Sequence, residues 1–139
     1  MARLYAQFGA MVFLVLGVGG FLTGDAGTLV HHLPEGNLGH VALHLTYTRD
    51  VLHLVLAGVL GYAGFRAGDV MAQGIVLAVG AMLLLLALVG FANPDTVQGT
   101  NSIAGLHFTQ PVNIFDLIAG ILGVLCGIGG ATARESVTT

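Results

Sequence analysis

Five residues able to do chemistry stand at the starts of two apolar runs. Arg49, Asp50 and His53 open TRDVLHLVLAGVLG (48–61), and Asn113 and Asp116 open NIFDLIAGILG (113–123). Ionisable groups within a membrane span are costly, and they are generally paired or functional. Carboxylates, an imidazole and a guanidinium at such a place can bind a polar ligand, relay a proton or hold a cofactor. The same residues also suit a structural cluster near the headgroups. Asp50 and Asp116 would then sit in first helical turns, where the helix dipole favours negative charge.

A second set is His40 and His44, in GHVALHL. Their i,i+4 spacing puts both imidazoles on one face of a helix and can chelate a transition metal. Leu38, Val41, Ala42 and Leu45 supply an apolar side, so residues 38–45 also read as a short interfacial amphipathic helix. His31 and His32 are adjacent and would diverge in any regular structure. His53, with Ala57 and Gly61 beyond it, has room for a flat ring. That admits haem, a chlorophyll-type pigment or a quinone as alternatives to plain helix packing.

The elements that must position these residues are helices. The chain has 139 residues, 55% hydrophobic and 8% charged, against roughly 25% charged in a soluble domain. Four apolar stretches lie at about 4–22, 46–65, 70–92 and 112–131. Each approaches the ~20 residues that cross a bilayer as a helix. Lipid offers the backbone no hydrogen-bond partners, so spans of this kind are helical. The fold expected is all-α: a single domain of four transmembrane helices, with two tandem hairpins as one arrangement of them. Asp69 is the expected N-cap of the third helix, Asn93-Pro94 its stop, and Pro111 suits the first turn of the fourth. The run after Arg3 resembles a signal peptide's apolar region, but TGDAG is a poor cleavage site, so a retained span is expected.

All four basic residues are arginines. Arg3, Arg66 and Arg134 fall on one side of a four-span topology and Arg49 on the other. The positive-inside rule then expects both termini in the cytoplasm of a bacterial inner membrane protein. A net charge of −3 with no basic patch argues against a nucleic-acid partner. Cys126 is the sole cysteine and reads as a small buried apolar residue. Gly17-Val18-Gly19-Gly20 lies inside a span and is no phosphate loop, and there is no hydrolase or kinase signature.

The halves of the chain look alike. GAMVFLVLGVGGF (9–21) answers GAMLLLLALVGF (80–91), and DVLHLVLAGVLG (50–61) answers NIFDLIAGILG. Asp50 thereby pairs with Asn113, and His53 with Asp116. If helices 2 and 4 meet at the bundle centre, His53 and Asp116 sit at similar depth, within reach of a hydrogen bond or ion pair. Ala119, Gly123 and Gly127 on helix 4, and Ala57 and Gly61 on helix 2, are small-residue faces that let backbones approach.

These segments, Asp50-Val51-Leu52-His53-Leu54 and Asn113-Ile114-Phe115-Asp116-Leu117, resemble the Asn-x-x-His-Leu pattern of an uncharacterised family of small four-helix bacterial membrane proteins. The resemblance spans most of the chain. Asp50 stands where that pattern has Asn, and Asp116 where it has His. The resemblance implies a fold and a membrane location, and no reaction. The function expected is non-enzymatic: a structural or accessory subunit that packs among lipids against other membrane subunits or itself. The alternative is a cofactor-binding protein using His53 and the histidines of the two long outer loops, His31, His32, His40, His44 and His107, for haem, pigment, quinone or metal.

Overall fold

The computed structural model describes residues 1–23, 37–38, 41–42, 47–93, 106 and 108–135. Four helices account for nearly all of these: α1 (Ala2–Thr23), α2 (Tyr47–Phe65), α3 (Asp69–Ala92) and α4 (Gln110–Glu135). The expected spans match them to within a few residues. At ~1.5 Å per residue, helices of 22, 19, 24 and 26 residues run about 28–39 Å. Three of them are long and apolar enough to cross a membrane: Ala2–Leu22, Asp69–Ala92 and Gln110–Gly129, with mean hydropathies of 1.8, 2.8 and 2.0. α2 falls outside this group because Arg49, Asp50 and His53 occupy its first two turns. The four expected helices are present, and three of them meet that length and apolarity.

The helix ends follow local chemistry. α3 does not start on an Asp69 cap. Gly68 is the N-cap, with extended backbone and no side-chain cap bond, and Asp69 is the first helical residue. There its carboxylate meets Arg3 Nε at 3.4 Å and lies at the positive end of the helix dipole. Asn93 closes α3, its Nδ2 donating to Val89 O at 3.1 Å, and Pro94 follows. Pro111 sits in the first turn of α4, where its missing N–H leaves nothing unpaired.

The helices form two antiparallel hairpins, α1 with α2 and α3 with α4. Glycines set the approach. A Cβ added at Gly80 would lie 2.6 Å from Val124 N, and one at Gly127 would lie 2.9 Å from Leu77 Cβ. One at Gly64 would lie 2.8 Å from Gln7 Cγ. The small-residue face of α4 therefore serves α3, and not α2 as a central meeting of helices 2 and 4 requires.

The repeat is legible in what is buried. In α1 the buried positions are Ala2, Ala6, Ala10, Phe13, Gly17 and Gly20. Each has a buried counterpart 70 residues on: Ala72, Val76, Gly80, Leu83, Ala87 and Gly90. In α2, Arg49, Asp50, His53, Ala57, Leu60 and Gly64 are matched 63 residues on by Val112, Asn113, Asp116, Gly120, Gly123 and Gly127, all buried. Even individual contacts recur, Gln7 with Gly64 in one hairpin and Leu77 with Gly127 in the other. The hairpins are parallel repeats.

The hairpins share one apolar core, in which Ala6, Leu60, Ala72 and Val76 are fully buried. Tyr5 Oη also donates to the Ala119 carbonyl at 2.8 Å, from α1 to α4. Tyr5→Phe removes a neutral hydrogen bond, so a loss of about 1 kcal/mol in unfolding free energy is expected. Equilibrium unfolding in mixed detergent micelles measures it.

Of residues 38–45, where an interfacial helix was expected, the described ones are Leu38, Val41 and Ala42, and they are extended. Leu38 lies on a two-residue strand β1 (Asn37–Leu38), paired antiparallel with β2 (Val41–Ala42); Leu38 faces Val41 and Asn37 faces Ala42. The joint face expected of His40 and His44 falls on residues outside those described. His31, His32, His40, His44 and His107 lie outside the described residues.

Candidate functional site: a buried polar cluster at one end of the bundle

The antiparallel hairpins bring the starts of α2 and α4 to one end, beside the C-terminal ends of α1 and α3. All five candidate residues are inside the protein there. Arg49 and Asp116 are 1% exposed, Asn113 2%, Asp50 3% and His53 4%. The outward positions between them, Val51, Val55, Ile114 and Ile118, are apolar and exposed. This is the pattern that a lipid-facing helix with an expensive polar interior requires.

The arrangement joins Arg49 to Asp116. Arg49 Nη2 donates to Asp116 Oδ2 in a fully buried ion pair between the two hairpins. The repeat offered the His53 imidazole, at similar depth, as a candidate for that place. α2 and α4 stand at opposite corners of the bundle, and the long Arg49 side chain spans the gap that a histidine ring does not. His53 instead lies against Phe13 of α1, ring centroids 5.5 Å apart at 36°. Phe13 in turn meets Phe115 edge-on at 5.9 Å.

Asp50 and Asn113 occupy equivalent seats. The Asp50 carboxyl fills the space that a side chain at Gly20 would need, and the Asn113 amide does the same at Gly90. Glycine is required at both places because the polar group of the facing helix comes directly against the backbone. Sequence reasoning missed Gly20 and Gly90 as part of the cluster. The aligned GGF and VGF endings of the two apolar runs carried that signal.

Four buried atoms have no hydrogen-bond partner among the described residues: Asp50 Oδ1, His53 Nδ1, Thr109 Oγ1 and Asn113 Oδ1. Buried orphan polar atoms are uncommon in native structures and point to water, an ion or a ligand. Among the described residues no three His, Cys, Asp or Glu side chains gather as metal ligands. Beside Gly61 lies α1, where a Cβ at Gly61 would make an ordinary van der Waals contact of 3.9 Å with that of Ala10.

Comparison of the chain with family models, with curated proteins and with solved structures gives no match.

Proposed function

We propose that this chain is a small, non-enzymatic, four-span membrane protein that serves as a structural or accessory subunit, packing against other membrane proteins or a second copy. One observation carries the reading. Among the described residues the interior holds helices together, through glycine contacts and the Arg49–Asp116 ion pair, while large apolar side chains point outward. Leu4, Phe8, Val15, Leu85, Leu88 and Leu125 are all more than half exposed. Such a surface meets lipid or an apolar neighbour. α2 counts as the fourth span because it lies antiparallel along α1 over nearly its whole length, with its charges turned inward.

The orientation in this reading places both termini and Arg66 in the cytoplasm of a bacterial inner membrane. Burial of Arg49 supports it, because the remaining arginines Arg3, Arg66 and Arg134 then flank one side only. Membership of the family of small four-helix bacterial membrane proteins is part of the same proposal. Its support is that the two similar helix starts occupy equivalent places in the two hairpins. The deciding measurement is native mass spectrometry of the tagged protein extracted from its own membranes in mild detergent. A stoichiometric partner or a defined homo-oligomer is expected. A bare monomer with lipid alone overturns the reading.

The orphan Nδ1 of His53 favours a second reading, a cofactor protein holding haem, pigment, quinone or metal at this end. Its expected result is a visible or ultraviolet absorption band, or a bound metal, that co-purifies with the wild type and is lost in His53→Ala. Identical spectra and metal content in both proteins sink it.

A further inference from the structure

We propose that the Asp50 carboxyl is a proton-binding site within the bundle, set in the first hairpin where the second hairpin carries a fixed neutral group. The two hairpins supply the comparison. In each, the first turn of the second helix presses a short polar side chain against a glycine near the end of the first helix. Asp50 takes that place against Gly20, and Asn113 takes it against Gly90. The contact is alike in detail. The Oδ1 atom of each side chain lies nearest to where a Cβ of its glycine would be, and Cγ comes next.

The two side chains differ only in that a carboxyl oxygen replaces an amide nitrogen. A protonated carboxyl matches the amide in shape and in net charge. The seat that holds the Asn113 amide therefore also holds the protonated form of Asp50. Unlike the amide, the carboxyl can give its proton up. The repeat separates the two acids in the same way. The carboxylate of the second hairpin, Asp116, is bound in an ion pair with Arg49, whereas that of the first sits in the seat of an amide.

The surroundings suit a group that changes charge by taking a proton. Asp50 is buried, and its Oδ1 has no hydrogen-bond partner among the described residues. An ion taken out of water without compensation is costly, and a proton removes that charge. The dipole of α2 favours the carboxylate, but by little beside lost hydration. α1, with Gly17 and Gly20 against Asp50, carries its titratable Arg3 and Tyr5 at the far end, as α3 carries Asp69. α2 brings Arg49 beside Asp50 and His53 one turn on, and α4 brings Asp116, bonded to Arg49. Proton access is short: Asp50 stands three residues inside α2, about 4.5 Å along its axis from the exposed Tyr47. Uptake converts carboxylate and hydronium into carboxylic acid and water, and release reverses it. Ionisable residues within membrane spans commonly mark proton sites. The inference depends on the packing of the hairpins, and holds for an accessory subunit and a cofactor protein alike.

The test is infrared spectroscopy of the full chain in lipid nanodiscs, from acid to alkaline pH, on the wild type and Asp50→Asn. Their difference spectrum isolates Asp50. It is expected to hold the carbonyl band of a protonated carboxyl, which shifts in heavy water and is lost as pH rises. A difference spectrum with carboxylate alone at every pH overturns the proposal. A protonated band that never changes with pH also overturns it, because Asp50 is then as fixed as Asn113. So does a band that sodium, replacing potassium at constant pH, weakens, because the seat then takes a cation. Asp50→Asn is expected to fold, since Asn113 fills the twin seat. Should it not, the wild type is treated with dicyclohexylcarbodiimide, which adds to protonated carboxyls in apolar surroundings, and its peptides are mapped by mass spectrometry. An adduct on Asp50 that declines as pH rises supports the site, and adducts confined to other carboxyls overturn it.

Discussion

Asp116→Ala is expected to cost about 3–5 kcal/mol of bundle stability, the range for leaving one partner of a buried ion pair uncompensated. Arg49 is 1% exposed, so its guanidinium cannot turn to water without taking the start of α2 with it. The double substitution Arg49→Met/Asp116→Leu is expected to behave differently. It removes both charges and fills the space with apolar atoms, and replacements of this kind are often neutral or stabilising by ~1–4 kcal/mol. Unfolding of the single and double variants in mixed micelles decides the matter. If Asp116→Ala costs under about 1 kcal/mol, the range of an exposed pair, the guanidinium has found water and the cluster is not sealed.

A second large effect is expected from glycines that look alike in the sequence. Gly80→Ala places a Cβ 2.6 Å from Val124 N and 2.8 Å from Gly123 C, both backbone atoms that cannot rotate away. α3 and α4 must separate, at an expected cost of about 1–3 kcal/mol from overpacking. Gly74→Ala, six residues earlier on the same helix, meets nothing within 4 Å. It is expected to stabilise by about 0.5–1 kcal/mol through helix propensity alone. The opposite signs are the prediction, and thermal unfolding of the two variants side by side checks it. Destabilisation by both would mean that the face bearing Gly74 is also covered in the membrane, by a neighbour that the single chain does not show.

Both predictions bear on how the cluster relates to the proposed role. A bundle whose polar interior is a sealed tie fits an accessory subunit. A bundle whose polar interior admits water or a ligand fits the cofactor reading, and His53 is where the two diverge. Its ring is held by Phe13, and its Nδ1 has no partner among the described residues.

The helical class, the positions of the four helices and the short list of polar residues follow from the sequence alone. Their cause is local: a backbone in lipid must bond to itself, so apolar length translates directly into helix. The similarity of the two halves was readable for the same reason, since packed faces repeat as residue types at fixed spacing. At Leu38, Val41 and Ala42 the apolar pattern fits a helix, whereas the strand pair found there depends on contacts between chain segments. The partner of Asp116 depends on tertiary structure in the same way. The repeat puts His53 and Asp116 at equal depth, but the crossing of two hairpins places α2 and α4 at opposite corners. Across that gap, side-chain reach selects Arg49. The roles of Gly20, Gly80 and Gly90 are likewise decided by which helix lies against them, and no single helix carries that information.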